Sequence, residues 1–484
     1  MCGSTLIRKK FAGWMQPAGR QFVQPFDSSP QSNDETSQPN MNDLISRAQA
    51  VLRLNDTGAF TKPSPHQYPH QWNWDSAFIA LGLAYFDLPR ALTEVRSLLA
   101  AQWRDGMVPH IIYPTGASDY FPPPEFWQTE NLSHAGNIPS SGLTQPPILA
   151  TIVRAITQHA SRNPQPATRI THHASLHSDY VLRFTQSAFP HLLAWHRWLH
   201  TARAIDHTGL PCLIHPWESG MDNSPLWADA LDRITPHDLP PFRRRDQIHV
   251  APDERPLAPD YERFVYLIDC GRRLHWEPRA LLEQMPFLVQ DVLFCSILHR
   301  ADEDLRALAI ELGQDTSEID GWLACTRENF NARFWDDTRG LYLDYDVRAG
   351  KSIPINANGT FAPLFAGLAS PEQAARLVAE HFENPTEYAP DADSKFRLPS
   401  VAKNEHGYSP RRYWCGPIWI QMNWLIAQGL RRYGFHAQAD AVVRDSLALV
   451  RQSGFREYYD PRDGSGCGAV DFCWSAALTL DTLK

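Results

Sequence analysis

The sequence predicts an all-α protein, a toroid of helical hairpins with long loops at one mouth. Three observations carry this. Apolar residues recur at three- and four-residue spacing through most of the chain beyond residue 41. The periodic stretches come as consecutive pairs joined by short turns, at Asp87-Leu88-Pro89, Ser370-Pro371 and Gly434-Phe435. Strand-like alternation is confined to pieces such as Leu341-Tyr342-Leu343-Asp344-Tyr345, so no parallel sheet is expected.

In chain order, residues 16–40 are Gln, Ser, Pro, Asn and Asp with few large apolar groups, and residues 1–40 are expected to be a disordered tail. Met41 opens an amphipathic helix with Asn42 or Asp43 as its cap. Further helices are expected over 76–86, 89–103, 148–159, 188–202, 279–299, 302–312, 317–334, 371–382, 418–433 and 436–452. Connections rich in Pro, Gly and aromatic residues run over 107–146, 207–225, 236–259 and 403–417. Loops this long inside a compact protein are usually functional. They recur about once per helical pair, as expected if they gather at one mouth. Residues 41–484 are read as a single domain, and the His-rich stretch 158–177 as a surface insertion with solvated histidines.

Composition narrows the function. Of 484 residues, 45 are Lys or Arg and 54 Asp or Glu, a formal charge of −9 that argues against nucleic acid or an anionic membrane as partner. No run of about 18 apolar residues occurs to span a bilayer. The eight cysteines form no CxxC pair, and Cys270, Cys295 and Cys325 sit in helix-like stretches. Reduced cysteines in a cytoplasmic protein are therefore expected. The N-terminal Phe-Ala-Gly-Trp-Met-Gln-Pro after Arg8, Lys9 and Lys10 is too short and polar for a signal sequence. The 16 Trp, 15 Tyr and 23 Phe are distinctive, because many Trp fall beside Asp, Glu or Asn. Flat rings next to short polar groups suit the faces and hydroxyl edges of a sugar; they suit a Trp-rich core as well. The chain has no GxGxxG after a strand, phosphate loop, GxSxG elbow or clustered zinc ligands, so neither cofactor nor metal is expected.

Four constellations carry candidate chemistry. In Tyr68-Pro-His-Gln-Trp72-Asn-Trp74-Asp75-Ser76, Asp75 or Ser76 suits a helix cap, but capping alone does not call for Trp-x-Trp. Trp72 and Trp74 at a sugar face, with Asp75 accepting from two hydroxyls, explains the motif better. Pro69 between His66 and His70 spoils a metal-binding face. In Trp217-Glu-Ser-Gly220-Met-Asp222-Asn-Ser224-Pro225, Ser224 and Pro225 start a helix and Asp222 lies just outside it. As a general acid Asp222 needs a raised pKa from burial against rings such as Trp217, while the helix dipole pulls the other way. In Phe455-Arg-Glu457-Tyr-Tyr-Asp460-Pro461, Asp460 reads as a turn residue, and spacing alone does not choose Glu457 over Glu405 or Asp471 as a base. In Arg411-Arg-Tyr413-Trp414-Cys-Gly-Pro-Ile-Trp419, three rings are placed either to stack on a sugar or to fill core.

At these residues the sequence resembles glycoside hydrolase family 63, most of all its compact glucosylglycerate and mannosylglycerate hydrolases. The likeness runs in order through WNWDSAF at 72–78, the loop bearing His110 and Tyr120, SGLTQPP at 141–147, WESGMDNSP at 217–225, RRYWCGPIW at 411–419 and FREYYDP at 455–461. It implies an (α/α)6 barrel and an inverting α-glycosidase. Carried over, Asp222 is the general acid and Glu457 the general base. Tyr68, Trp72, Trp74, Asp75, Gln145, Gly220, Tyr413, Trp414 and Trp419 line the sugar site, and His110 and Tyr120 help cover the aglycone. A glycerate aglycone needs a cation or several donors, for which Arg263, near Tyr261 and Tyr266, is the candidate. Two rivals keep the fold: an α-glucosidase for disaccharides of the kojibiose or trehalose type, and a sugar epimerase or isomerase. The latter favours paired histidines, and the histidines here mostly avoid the Trp-rich motifs. A sugar-binding protein without catalysis leaves the carboxylates unexplained.

Overall fold

Two kinds of helix alternate along the chain. The helix Asn73–Ala84 is buried at every position, whereas Met41–Leu54 buries only Leu44, Ala48, Val51 and Leu52. A helix apolar all round belongs inside a larger protein, and one with a single apolar stripe belongs on its surface. The computed structural model, which describes residues 41–114, 120–162, 173–206 and 208–484, arranges them accordingly. The expected tail at 1–40 and residues 163–172 of the His-rich stretch lie outside the described residues.

Six inner helices close a ring: Asn73–Ala84, Leu149–Arg162, Val292–Glu311, Ala362–Ala366, Ile420–Arg432 and Cys473–Thr482. Each packs on the next, and the last packs on the first. Outer helices Leu88–Ala100, His173–Ala202, Ser317–Phe334, Pro371–Arg376 and His436–Ser453 each follow an inner one in the chain. Met41–Leu54 packs on the last inner helix. This is an (α/α)6 barrel. Close approach between inner helices requires glycine. A Cβ on Gly82 would stand 2.5 Å from the Ala477 Cα, at the seam where the first inner helix meets the last.

Every connection from an outer helix to the next inner one reaches the same end of the barrel, and these are the long ones: 101–148, 203–291, 335–361, 383–419 and 454–472. Connections at the other end, such as 85–87, 367–370 and 433–435, are short. The N-terminal ends of the inner helices therefore face the mouth. Short antiparallel ribbons brace it: Gln71–Trp72 with Ile111–Ile112, Val289–Gln290 with Tyr345–Asp346, and Tyr458–Tyr459 with Gly466–Cys467.

The expected helices at 279–299 and 302–312 divide elsewhere. One ends at Gln284 and a single helix runs Val292–Glu311. Pro286, lacking an N–H and clashing with the preceding turn, ends the first. Asp291 caps the second by accepting from the Phe294 N–H. No break occurs at residue 301, where Arg300 and Asp304 pair across one turn at 2.8 Å. Ala258–Arg273 is a further helix inside the longest connection. Neither Asp75 nor Ser76 caps Asn73–Ala84: the cap position is Trp72, with no side-chain bond, and Ser76 donates to buried Glu94 at 2.7 Å. Among the described residues no helix is long and apolar enough to cross a membrane.

Candidate active site

The mouth connections line a cavity open to solvent. Trp74 and Asp75 enter it from the first turn of the first inner helix, and Tyr68 and Trp72 from the segment before it. His110, Tyr120 and Gln145 come from the 101–148 connection, Trp217, Gly220 and Asp222 from 203–291, Tyr413 and Trp414 from 383–419, and Glu457 from 454–472. Residues up to 389 positions apart thus meet: the Tyr68 hydroxyl donates to Glu457 Oε1 at 2.6 Å.

The loop that presents Asp222 is held on both sides. Beneath it, Glu218 is fully buried and accepts from Arg203 Nη2 at 2.7 Å, Ile214 N at 2.8 Å and Thr144 N at 3.2 Å. Glu218 is therefore the strut of the WESGMDNSP motif. Above it, Asn223 Oδ1 accepts from the Trp414 N–H at 3.0 Å, fixing Asp222 relative to the aromatic wall. Ser224 caps the short 3-10 turn Pro225–Trp227, accepting from the Leu226 N–H. Gly220 adopts φ 75°, and a Cβ there would lie 2.6 Å from the Trp74 ring. Glycine is needed because the chain must pass flat against the indole. Tyr413 holds φ 42°, an uncommon conformation for a bulky residue, of the kind concentrated at functional sites.

Burial pushes the Asp222 carboxyl up to about 7. The Arg255 charge and a hydrogen bond from Tyr413 oppose this, and the Glu457 charge reinforces it. The helix after Ser224 is only Ala228–Asp232, so the dipole expected to hold Asp222 down is short, and desolvation wins. Asp75 is likewise raised, by burial and then by the charges of Glu457 and Asp222. Glu457 sits differently. At 1% exposure it is bound by Tyr68, by Arg255 Nη1 at 3.4 Å and by the Ala469 N–H on Oε2 at 2.9 Å. Glu405 accepts from the Asn356 N–H at 2.9 Å, and it and Asp471 lie outside the cavity lining, so of the three only Glu457 lines the cavity with Asp222.

The aromatic wall is layered. Trp414 lines the cavity and lies 3.8 Å from Trp419, with the rings only 5° from parallel. Trp419 is fully buried in that second layer, behind the cavity rather than on it. It is the one expected sugar contact that the structure moves back, since the stack on Trp414 occupies its face. Trp474, at 5.5 Å from Trp74, is an added lining ring. Tyr120 packs edge-on against Trp72 at 5.3 Å. His110 shares a 2.6 Å hydrogen bond with Ser141, and burial holds its imidazole well below the usual range, hence neutral. Among the described residues no second histidine lines the cavity, which removes the paired acid and base of an epimerase. Nor, among them, does any cluster of three or more His, Cys, Asp or Glu have metal-binding geometry.

The expected aglycone cation is corrected. Arg263 pairs with Asp232 at 2.9 Å and Asp260 at 3.7 Å, away from the cavity, and Tyr266 meets His237; of that trio only Tyr261 lines the site. Among the described residues the cation that lines the cavity is Arg255, at 2% exposure. It donates to the Tyr68 hydroxyl at 2.8 Å and to the Asp246 carbonyl at 3.2 Å, and stacks 4.7 Å over Tyr413.

Buried carboxylates converging in an aromatic cavity at the mouth of an (α/α)6 barrel define a glycoside hydrolase. The family model described as the mannosylglycerate hydrolase MGH1-like glycoside hydrolase domain matches residues 68–475, and the chain belongs to that family. It is 44% identical to a mannosylglycerate hydrolase of Thermus thermophilus over 90% of this chain and 99% of the relative. It is 35% identical to a glucosylglycerate hydrolase of Mycolicibacterium hassiacum over 91% of this chain and 97% of the relative. The crystal structure of a GH63 mannosylglycerate hydrolase from Thermus thermophilus in complex with Tris and D-glycerate superposes with a TM-score of 0.81. The two are 42% identical, over 90% of this chain and 99% of that one.

Proposed function

We propose that this enzyme hydrolyses glucosylglycerate or mannosylglycerate with inversion, Asp222 as general acid and Glu457 as general base. The observation that carries the reading is the pairing of these two carboxylates in a cavity whose one cationic lining residue, among the described residues, is Arg255. An acid must hold its proton near neutral pH, and Asp222 is buried enough to do so. Glu457, gripped by Tyr68 and Arg255 on one oxygen, is positioned to take the proton of a water attacking the opposite face of the sugar.

The order of events follows from the site. The sugar rests against the Trp74 and Trp414 rings, which lie side by side at 6.4 Å, with Asp75 receiving adjacent hydroxyls. Asp222 delivers its proton to the glycosidic oxygen as the bond breaks, and the water adds at the anomeric carbon while Glu457 removes its proton. The sugar leaves with inverted configuration. Space for that water requires the carboxyl groups to stand about 6.5–9.5 Å apart.

The anionic aglycone is supported by Arg255, backed by Tyr120 and Tyr261 at the cavity wall. Buried guanidinium is suited to carboxylate recognition, because its planar fork matches two oxygens at once. The relatives named for glycerate glycosides agree with this choice. Purified enzyme incubated in parallel with glucosylglycerate, mannosylglycerate, trehalose and kojibiose tests it. The reading expects fast release of sugar from a glycerate glycoside; turnover of the disaccharides alone would move the enzyme to the α-glucosidases.

Two coarser points complete the proposal. Catalysis is assigned to residues 41–484, so a chain lacking 1–40 retains full turnover. Cys212, Cys270, Cys295, Cys415, Cys467 and Cys473 are free thiols, all but Cys270 buried, which supports a reducing, cytoplasmic location that cell fractionation tests.

A further inference from the structure

Arg255 contacts Glu457 directly and Asp222 through Tyr413. Its Nη2 donates to the Tyr68 hydroxyl at 2.8 Å, and that hydroxyl donates in turn to Glu457 Oε1 at 2.6 Å. Its Nη1 reaches the same oxygen at a loose 3.4 Å. On the other side the guanidinium lies 4.7 Å over the Tyr413 ring, and Tyr413 hydrogen-bonds Asp222. Guanidinium has five N–H donors, of which these contacts and the bond from Nε to the Asp246 carbonyl use three. The cation therefore lines the cavity with donor capacity to spare.

We propose, resting on the glycerate-glycoside reading above, that Arg255 couples recognition of the aglycone to readiness of the acid: a carboxylate docked on its guanidinium favours the protonated form of Asp222. The enzyme then arms its acid most fully when an anionic glycoside is bound. The physical basis is charge cancellation. In the free site the Arg255 cation is the largest influence opposing burial at Asp222. An anion seated on the guanidinium removes most of that field and adds its own negative charge in the same desolvated volume. Both changes retain the proton that must be given to the leaving oxygen.

Other charged or titratable groups also face Asp222. They are Glu457, Asp75 on the first inner helix, Tyr413, and Tyr120 from the 101–148 connection. Asp246, Tyr261 and Tyr458 are further neighbours of Arg255. All of these are present whichever aglycone the sugar carries, so a comparison of charged and neutral aglycones isolates the contribution of the carboxylate.

The test is a pair of pH–rate profiles on the whole protein, for glucosylglycerate and for the glucoside of glycerol, in which a hydroxymethyl group replaces the carboxylate. The alkaline limb of kcat/KM reports the free enzyme and that of kcat the complex. The expected result is a kcat limb displaced upward by about one pH unit from the kcat/KM limb for glucosylglycerate, and by clearly less for the neutral glycoside. In Arg255→Gln the free-enzyme limb should move up and the gap between the limbs should close. Equal limb displacement for the two glycosides, with brisk glucosylglycerate turnover, overturns the coupling and leaves the substrate assignment standing. Absence of turnover of glucosylglycerate and mannosylglycerate alike overturns the substrate assignment itself, and this inference with it.

Discussion

Replacing Asp222 with Asn removes one thing from the site, its transferable proton. The amide keeps the volume of the carboxylic acid and an acceptor for the Tyr413 hydroxyl. It is also neutral, like the protonated acid it replaces, so the field at Arg255 and Glu457 changes little. General acid catalysis contributes typically about 10²–10⁴-fold. The loss of kcat on a natural glycoside should fall in that range, about 2.7–5.5 kcal/mol of barrier. The burial that lifts Asp222 to about 7 keeps a large share of the acid protonated near neutral pH, where the loss should be read. An α-glycosyl fluoride separates this role from any other. Fluoride leaves without a proton, so Asp222→Asn should keep its turnover to within about tenfold, while Glu457→Gln should lose both substrates alike. The assay is kcat for both substrates in both variants, with circular dichroism to confirm folding. An equal loss on fluoride and glycoside in Asp222→Asn would refute the assignment of the acid.

Three other outcomes follow from the geometry. The kcat/KM of the wild type should fall as pH rises through about 7, because the active form carries the Asp222 proton and its folded-state pKa is raised; a profile flat to pH 9 contradicts this. Gly220→Ala should cost about 1–3 kcal/mol of stability and displace the Trp74 ring, lowering kcat/KM by tenfold or more; unchanged kinetics and melting would show that the close approach is tolerated. Glu218→Gln breaks a buried ion pair and strands Arg203, so a loss of about 3–5 kcal/mol in chemical denaturation is expected, against none if Glu218 were a solvated turn residue.

Helical periodicity made the barrel legible in the sequence, because inner and outer helices differ in how much of their circumference is apolar. Local oddity marked Trp72, Trp74, Asp75 and Asp222, through Trp-x-Trp-Asp and the Gly-containing loop before Ser224, whereas Tyr68, His110, Tyr120, Gln145 and Glu457 came only with the family resemblance. What escaped lies between elements distant in sequence. Arg255 carries no local mark: it sits in a Pro-rich loop beside other arginines, and only the fold brings it to Tyr68 and Glu457. Arg263, on a tidier pattern, turns to Asp232 and Asp260 because it is helical and faces outward there. Trp419 illustrates the same limit. A ring at the surface of a cavity and one stacked directly behind it look alike in sequence, and depth is decided by the partner at 3.8 Å. Pro286 was a readable stop signal for the helix that ends at Gln284, but the apolar run across it outweighed the breaker.

The central claim is direct displacement by water, assisted by Asp222 and Glu457 from opposite sides of the sugar. Proton NMR of the anomeric region during the first minutes of hydrolysis of an α-linked glycerate glycoside tests it most directly. The account predicts that the β-anomer of the free sugar accumulates first and that the α-anomer grows only at the rate of spontaneous mutarotation. Initial release of the α-anomer would mean a covalent glycosyl-enzyme and a retaining mechanism, and would contradict the roles assigned to both carboxylates.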